Sequence, residues 1–402
     1  MLNDSSAPLV RQRPGSQEDA ARRSGADGRG GPTRPAGGAR LAAVDGLRLV
    51  AAVAVAAYHY VGTTTPGFWG AHDPRQFAPV LHGISRYGWL GVEFFFLISG
   101  FVICLSCWGR TPAQFAVSRV SRLFPAYWCA VLMVVGLVLI ARLGHLPAAP
   151  PIDLRTVVGN LTMAPGPLGL PLIEGVAWTL WVEARFYLLM AALLFLGLSY
   201  RRLLAFCGAW LTLALVAREL GSAVLDEFVL SQYAGLFVTG IALFLMYRFG
   251  QNLVLWLLAG FAWCYQLTVL GDRVAAHAVP RAQGGALSWA VCAAVLTAFL
   301  AVLALSAFGP LARLRRRWPV TAGALTYPFY LVHQSLGIPV AKGLLRKVPA
   351  LGVLPSIAVA AAFSLLLAAA VHRLVERPLG RALRRHLTRG MSPGRTGPES
   401  GT

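Results

Sequence analysis

What this sequence has little of is charge. Aspartate and glutamate together number 16 in 402 residues, and charged residues of both signs make up 13%, roughly half the share in ordinary soluble domains. Hydrophobic residues reach 56%, and the mean hydropathy is +0.61. Such a chain cannot dress a globular surface for water, so an all-α integral membrane protein is expected. Cysteine is also sparse. Cys104, Cys107, Cys129, Cys207, Cys264 and Cys292 lie in or beside apolar runs and read as small packing residues, not as a disulfide framework. Cys104 and Cys107 have CxxC spacing but no second pair, so no metal site is expected. The first hydrophobic run has no small-residue cleavage site, which tells against a signal peptide. There is no internal repeat and no inverted pair of broken helices, which weakens a transporter reading.

What is abundant is arginine. Lys+Arg total 36, giving a net charge of +20, and nearly all of these residues are arginine. In a soluble protein that excess would point to nucleic acid. Here the basic residues sit mainly at the ends of hydrophobic runs, so they read as topology signals and no nucleic-acid partner is expected. Residues 1–40, rich in Gly, Pro, Ser and Arg, hold too little apolar surface to fold and are read as a disordered tail; 381–402 are read the same way. Between them, 41–380 form the membrane domain. About ten spans near the ~20 residues needed to cross are expected at 42–62, 87–107, 125–144, 176–197, 203–217, 229–247, 253–271, 286–308, 322–345 and 351–373. The fifth is short. The Arg110–Arg122 loop, Arg201 and Arg202, Arg248, Arg313 to Arg317 and both tails fall on one side, so both termini are expected in the cytoplasm of a multi-pass cell-membrane protein.

The first span carries an unusual set of polar residues. Arg48 and His59 are eleven positions apart, close to three turns at ~3.6 residues per turn, and so ~16 Å apart on one stripe. Ala52 and Val55 lie between them and leave a smooth face for a thin ligand. Ionisable groups inside a span are expensive and point to function. The plainer reading is that Arg48 snorkels to headgroups and His59 bonds a neighbouring carbonyl. Depths read from the topology place His59, Glu93, Glu183 and His333 in one middle-to-outer layer, and Asp45, Arg48, Arg119 and Arg122 at the cytoplasmic boundary. A group-transfer site needs such a division between a cationic anchor for a phosphorylated donor and a remote acid/base centre. Loop arginines, however, most often only mark topology. His72, His82, His145 and His277 fall in outer loops and are expected to be solvated.

Six blocks then resemble the membrane acyltransferase-3 family in order and topology. Arg48 and His59 match its first-helix Arg and His separated by ten residues. Glu93 to Phe101, with Ser99-Gly100-Phe101, matches its second-helix block. Arg119-Val120-Ser121-Arg122 and Pro125-Ala126-Tyr127-Trp128 match its Arg-x-x-Arg loop and the opening of span three. Trp178 to Tyr187, through Glu183, matches its Trp-Ser-Leu-x-x-Glu-x-x-Phe-Tyr. Tyr330 to His333 and Glu376-Arg377-Pro378 match its late signatures. Two positions depart from the pattern. Ala184 stands where a second acid is common. Trp181 stands where a small residue is usual, which would narrow the acceptor pocket.

The resemblance implies an O-acyltransferase that uses acyl-CoA, with acetyl-CoA the expected donor, and needs no metal. Arg48, Arg119 and Arg122, with Asp45, would form the donor site. The pantetheine arm would lie along the Arg48–His59 stripe. His59 would be the general base, with a direct transfer or an acyl-imidazole as variants. Glu183 or Glu93 would orient it. His333, Tyr330 and Ser99 would complete the pocket, with Trp178 and Tyr187 contributing to the substrate pocket. Many relatives that modify bacterial glycans carry an additional esterase-like domain after the last helix, for which this length leaves no room. The stand-alone form is similar to members acylating sugars on macrolides and other metabolites, or free oligosaccharides. A proton-coupled transporter or flippase for a glycan or metabolite is the alternative, with the buried His and Glu relaying protons.

Overall fold

The computed structural model describes residues 42–64, 67–144, 152–278, 287–313 and 318–389, whose named elements are all helical and joined by loops. Nine helical segments among the described residues are long and apolar enough to cross a membrane. The first is α1 (Ala42–Ala57), prolonged by a π-helical turn, Tyr58–Gly62. Two short helices, Pro74–Phe77 and Pro79–Ser85, lead into α2 (Leu90–Cys107). There follow α3 (Pro112–Leu143), α4 (Trp178–Phe195), α5 (Tyr200–Glu219), α6 (Ala234–Phe249), α7 (Leu253–Ala278) and α8 (Trp289–Phe308). The expected ninth span, 322–345, is helical but interrupted: α9 (Trp318–Val332), a π turn at His333–Gly337, then α10 (Ile338–Lys347). The chain closes with α11 (Val353–Val371), a third π turn, His372–Glu376, and α12 (Arg377–Arg389).

Three boundaries correct the sequence reading. The third span begins at Pro112, so Arg119 and Arg122 lie on a helix and not in a loop. Thr111 caps it in a reciprocal box with Gln114, and Pro112 takes the first turn, where its missing N–H costs nothing. The fifth span is a full 20 residues, because Ser199 caps it at Tyr200. Residues 381–389, read as tail, continue α12; 1–40 and 390–402 lie outside the described residues.

Glycine sets where α2 sits. A Cβ at Gly88 or Gly91 would collide with the carbonyl oxygens of Ala54 and Ala51 on α1. A Cβ at Gly100 would collide with the carbonyl oxygen of Phe237 on α6, and one at Gly240 with that of Leu97. Backbones meet on both sides of α2, the close approach that small residues allow between membrane helices. The buried side chains fall into two apolar clusters, and α1 divides them. Ala51, Val55 and Tyr58 join α2 and α4–α8 on one side; Ala52, Ala56 and Tyr60 join α3 and α9–α11 on the other. Phe95 and Tyr187 pack against both clusters, so they mark the seam.

Glu93, expected beside His59, instead ties α2 to α7. Its Oε1 accepts from Arg273 Nε at 2.5 Å, and the carboxylate side chain is fully buried. Arg273 also donates to the Tyr233 hydroxyl at 2.9 Å. The expected span ended at 271, whereas the helix runs on to Ala278 and carries Arg273 inward. His277 is half-buried, stacked on Trp89 with centroids 4.1 Å apart, and His82 is buried with Nδ1 2.9 Å from the Val61 carbonyl oxygen. Neither is a solvated loop histidine. His72 is exposed, as expected, and His145 lies outside the described residues.

Two stability tests follow from these contacts. Gly100→Ala and Gly240→Ala should each lower the melting temperature in detergent, at a cost of ~1–3 kcal/mol from overpacking against backbone. Gly208→Ala, where the added methyl meets open space, should not. Arg273→Ala should cost about 3–5 kcal/mol by stranding a buried carboxylate, and Glu93→Gln in the same chain should recover most of the loss.

Candidate active site

Two of the three π turns carry the histidines singled out in the sequence. His59 lies in Tyr58–Gly62, and His333 opens His333–Gly337. Widening a helix to π geometry shifts its hydrogen-bond register and re-aims side chains, and such turns concentrate at functional sites. Side chains secure the carbonyls of these turns. Trp69 Nε1 donates to the Tyr60 carbonyl oxygen at 3.0 Å, and the Tyr60 hydroxyl donates to that of His333 at 2.6 Å. This last bond links the two turns directly. It needs Gly337, since a Cβ there would strike the Tyr60 hydroxyl.

The two imidazoles meet with ring centroids 5.4 Å apart, as their expected common depth required. His333 is fully buried. Its Nδ1 lies 2.7 Å from the Tyr330 carbonyl oxygen. A carbonyl only accepts, so Nδ1 carries the proton and Nε2 keeps its lone pair. That Nε2 is buried with no hydrogen-bond partner among the described residues. The Tyr330 ring lies 5.7 Å from the His333 ring, and the Tyr330 hydroxyl is 2.9 Å from Thr179 Oγ1.

Beyond Tyr330 a cavity opens along the seam between the two apolar clusters. Its outer part holds about 470 Å³ of empty space and is lined by Arg48, Phe95, Ser99, Thr179, Glu183 and Tyr330, among others. Its inner part shares Arg48, Ser99, Glu183 and Tyr327 and adds Arg119, Arg122 and Tyr187. Ser99 Oγ donates to Glu183 Oε1 at 2.9 Å, and the Arg119 guanidinium lies 5.7 Å over the rings of Phe115 and Tyr187. Arg119 Nε is buried with no hydrogen-bond partner among the described residues. Tyr327 donates to the Leu123 carbonyl oxygen at 2.9 Å, fixing α9 to α3 at the residue after Arg122. Three guanidinium groups thus line one space with a single carboxylate among them. Such a lining is chemically suited to an anion, since arginine pairs with phosphate or carboxylate through directed, charge-assisted bonds.

Arg48, Arg119, Arg122, Ser99, Tyr187 and Tyr330 therefore gather on one cavity, with His59 and His333 behind Tyr330. Four expectations change. Glu183 belongs with the arginines, not with the histidine layer. Trp178 and Trp181 lie on the opposite face of α4, where Trp181 Nε1 donates to Glu227 at 3.0 Å, so Trp181 does not narrow this cavity. Ala52 and Val55 are packed away at 0% and 1% exposure, so the stripe between Arg48 and His59 is no open groove. The open path instead runs between α2, α4 and α9. Asp45 lines neither part of the cavity and packs against Gly323 of α9.

Sequence reading missed Thr326 and Tyr327, although they stand four and three residues before Tyr330 on the same helical face. It also missed Thr179 and Glu174. Glu174 is fully buried, and its Oε1 accepts from Ser335 Oγ at 2.7 Å. Burial pushes its carboxyl up to about 8. Nothing in hydropathy marks a buried acid that lies just before a span.

Comparison with known proteins identifies the family. The acyltransferase-3 profile, described as Acyltransferase domain, matches residues 41–373. Exopolysaccharide production protein ExoZ of Rhizobium meliloti (strain 1021) is 32% identical over 139 residues, which are 33% of this chain and 42% of that protein. The chain thus spans less than half the length of that relative. No solved structure matches. With the family pattern running from the first span to the last, over the residues that build the cavity and the histidine pair, the chain belongs to the acyltransferase-3 family of membrane proteins.

Proposed function

We propose that this protein is an O-acyltransferase that moves a short acyl group, acetyl, from acyl-CoA to a hydroxyl of a glycan or glycosylated small molecule. The observation that carries this reading is the cavity where Arg48, Arg119 and Arg122 converge, together with its continuation past Ser99 and Thr179 to Tyr330 and the histidine pair behind it. The donor's phosphates suit the arginine end, where the unpartnered Nε of Arg119 fits an anion. By the positive-inside rule that end faces the cytoplasm, as do both termini. The exopolysaccharide named for the ExoZ relative supports a glycan as acceptor.

In the chemistry we assign, His59 takes the proton of the acceptor hydroxyl as the oxygen attacks the thioester carbonyl. The C–S bond breaks, and the thiolate of CoA recovers that proton from the imidazolium. His333, its tautomer fixed by Tyr330, presents an acceptor nitrogen beside His59 and holds the pair in register. Glu183 acts at the donor end. It limits the net positive charge there and is itself held by Ser99.

Purified, detergent-solubilised protein should release CoA from acetyl-CoA, and CoA should raise its melting temperature, because a ligand stabilises the state that binds it. His59→Ala should lower turnover by about 10²–10⁴-fold, the usual range for a lost general base, and keep the CoA-dependent shift. Full turnover in a folded His59→Ala protein would sink the assignment. Absence of both CoA release and thermal shift in wild type would favour a transporter. Gly337→Ala, which displaces the Tyr60 hydroxyl, should lower turnover while leaving CoA affinity near wild type.

A further inference from the structure

The last helix carries a cluster of exposed arginines. α12 reads Arg377-Pro378-Leu379-Gly380-Arg381-Ala382-Leu383-Arg384-Arg385-His386-Leu387-Thr388-Arg389, with no acid in it. Arg381, Arg384 and Arg385 line one groove with Pro378 and Thr388. All three arginines are exposed. None has a carboxylate partner among the described residues, and the preceding acid, Glu376, is engaged by His372 at 2.7 Å. Like charges this dense repel one another and are held together here only by the helix.

α12 does not lie free: Gly380 seats against the backbone of α3, where a Cβ would come within 2.6 Å of the Ser121 carbonyl oxygen. Ser121 stands between Arg119 and Arg122, the two arginines that line the inner cavity. The helix that carries the exposed arginines is therefore seated on the turn of α3 that supplies two arginines to the buried cavity. We propose that Arg381, Arg384 and Arg385 form an outer phosphate subsite that holds the nucleotide phosphates of the acyl donor, while Arg119, Arg122 and Arg48 receive the part that enters the cavity. This rests on the acyl-CoA reading above. A lipid phosphate offers the same oxygen chemistry. The seat of Gly380 on the α3 turn that carries Arg119 and Arg122 favours the nucleotide, because a headgroup anchor needs no such neighbour.

The test is CoA binding by the full chain in a neutral detergent without added lipid, comparing wild type with the triple variant Arg381→Gln, Arg384→Gln, Arg385→Gln. Affinity should fall about tenfold, the scale expected for three exposed charge pairs. The deficit should shrink as salt is raised, since screening acts on exposed charges first. It should also be smaller for CoA lacking its 3′-phosphate. The corresponding triple Arg→Lys variant, which keeps the charge, should stay within a few-fold of wild type. Equal CoA affinity in wild type and the Gln triple would overturn the proposal and leave the donor reading intact. Equal loss in the Lys triple would overturn it in favour of packing. Unchanged CoA affinity with weaker binding only to vesicles containing phosphatidylglycerol would overturn it in favour of a lipid site. No CoA binding by wild type would overturn the donor reading and the subsite together.

Discussion

The hydrogen bond from the Tyr60 hydroxyl to the His333 carbonyl oxygen is the constraint on which the centre depends. It joins two turns that α-helical geometry would not provide, on helices far apart in sequence. Each turn is widened by one residue, and a widened turn survives only where its backbone groups find partners. Tyr60 supplies one such partner, Trp69 another and His82 a third. Remove that network and the two histidines lose the reason for their orientation. The cost is borne by three large side chains and one glycine, none of which faces the cavity.

A second constraint is electrostatic. Membrane interiors tolerate ionised groups only where they are paired or line a polar space. The chain holds two solutions side by side. Glu93 and Arg273 satisfy each other and close a structural joint between α2 and α7. Arg48, Arg119 and Arg122 face one shared carboxylate and so leave positive potential unspent in the cavity. The first arrangement balances its own charge, and the second leaves a net positive charge. That contrast separates a structural ion pair from a binding site more sharply than depth in the membrane does.

Much of this was legible in the sequence. Hydropathy located the spans, because crossing length and apolarity are properties of a segment by itself. The eleven-residue interval from Arg48 to His59 pointed to two ends of one site. What sequence could not show was which neighbour each helix face meets. Glu183 was assigned to the histidines by depth, yet the rotation of α4 turns it toward the arginines. Ala52 and Val55 looked like an open stripe, yet the α1 face that carries them is packed shut. Trp181 looked like a pocket residue and proved to tie α4 to the short helix Ala223–Val229 through Glu227. Arg119 and Arg122 were placed in a loop, although the Thr111–Gln114 cap that puts them on a helix was there to be read.

The choice of cation has a consequence of its own. A thioester is an electrophile, and an amine held close to it is at risk of being acylated. Lysine is the residue that carries such modifications. Guanidinium stays protonated at any pH the protein meets, so it offers no lone pair to an activated acyl group. On the donor reading proposed above, a cavity whose cations are all arginine can grip the carrier without becoming its own substrate. The near absence of lysine from this chain is then a form of chemical inertness, placed where a reactive cargo would pass.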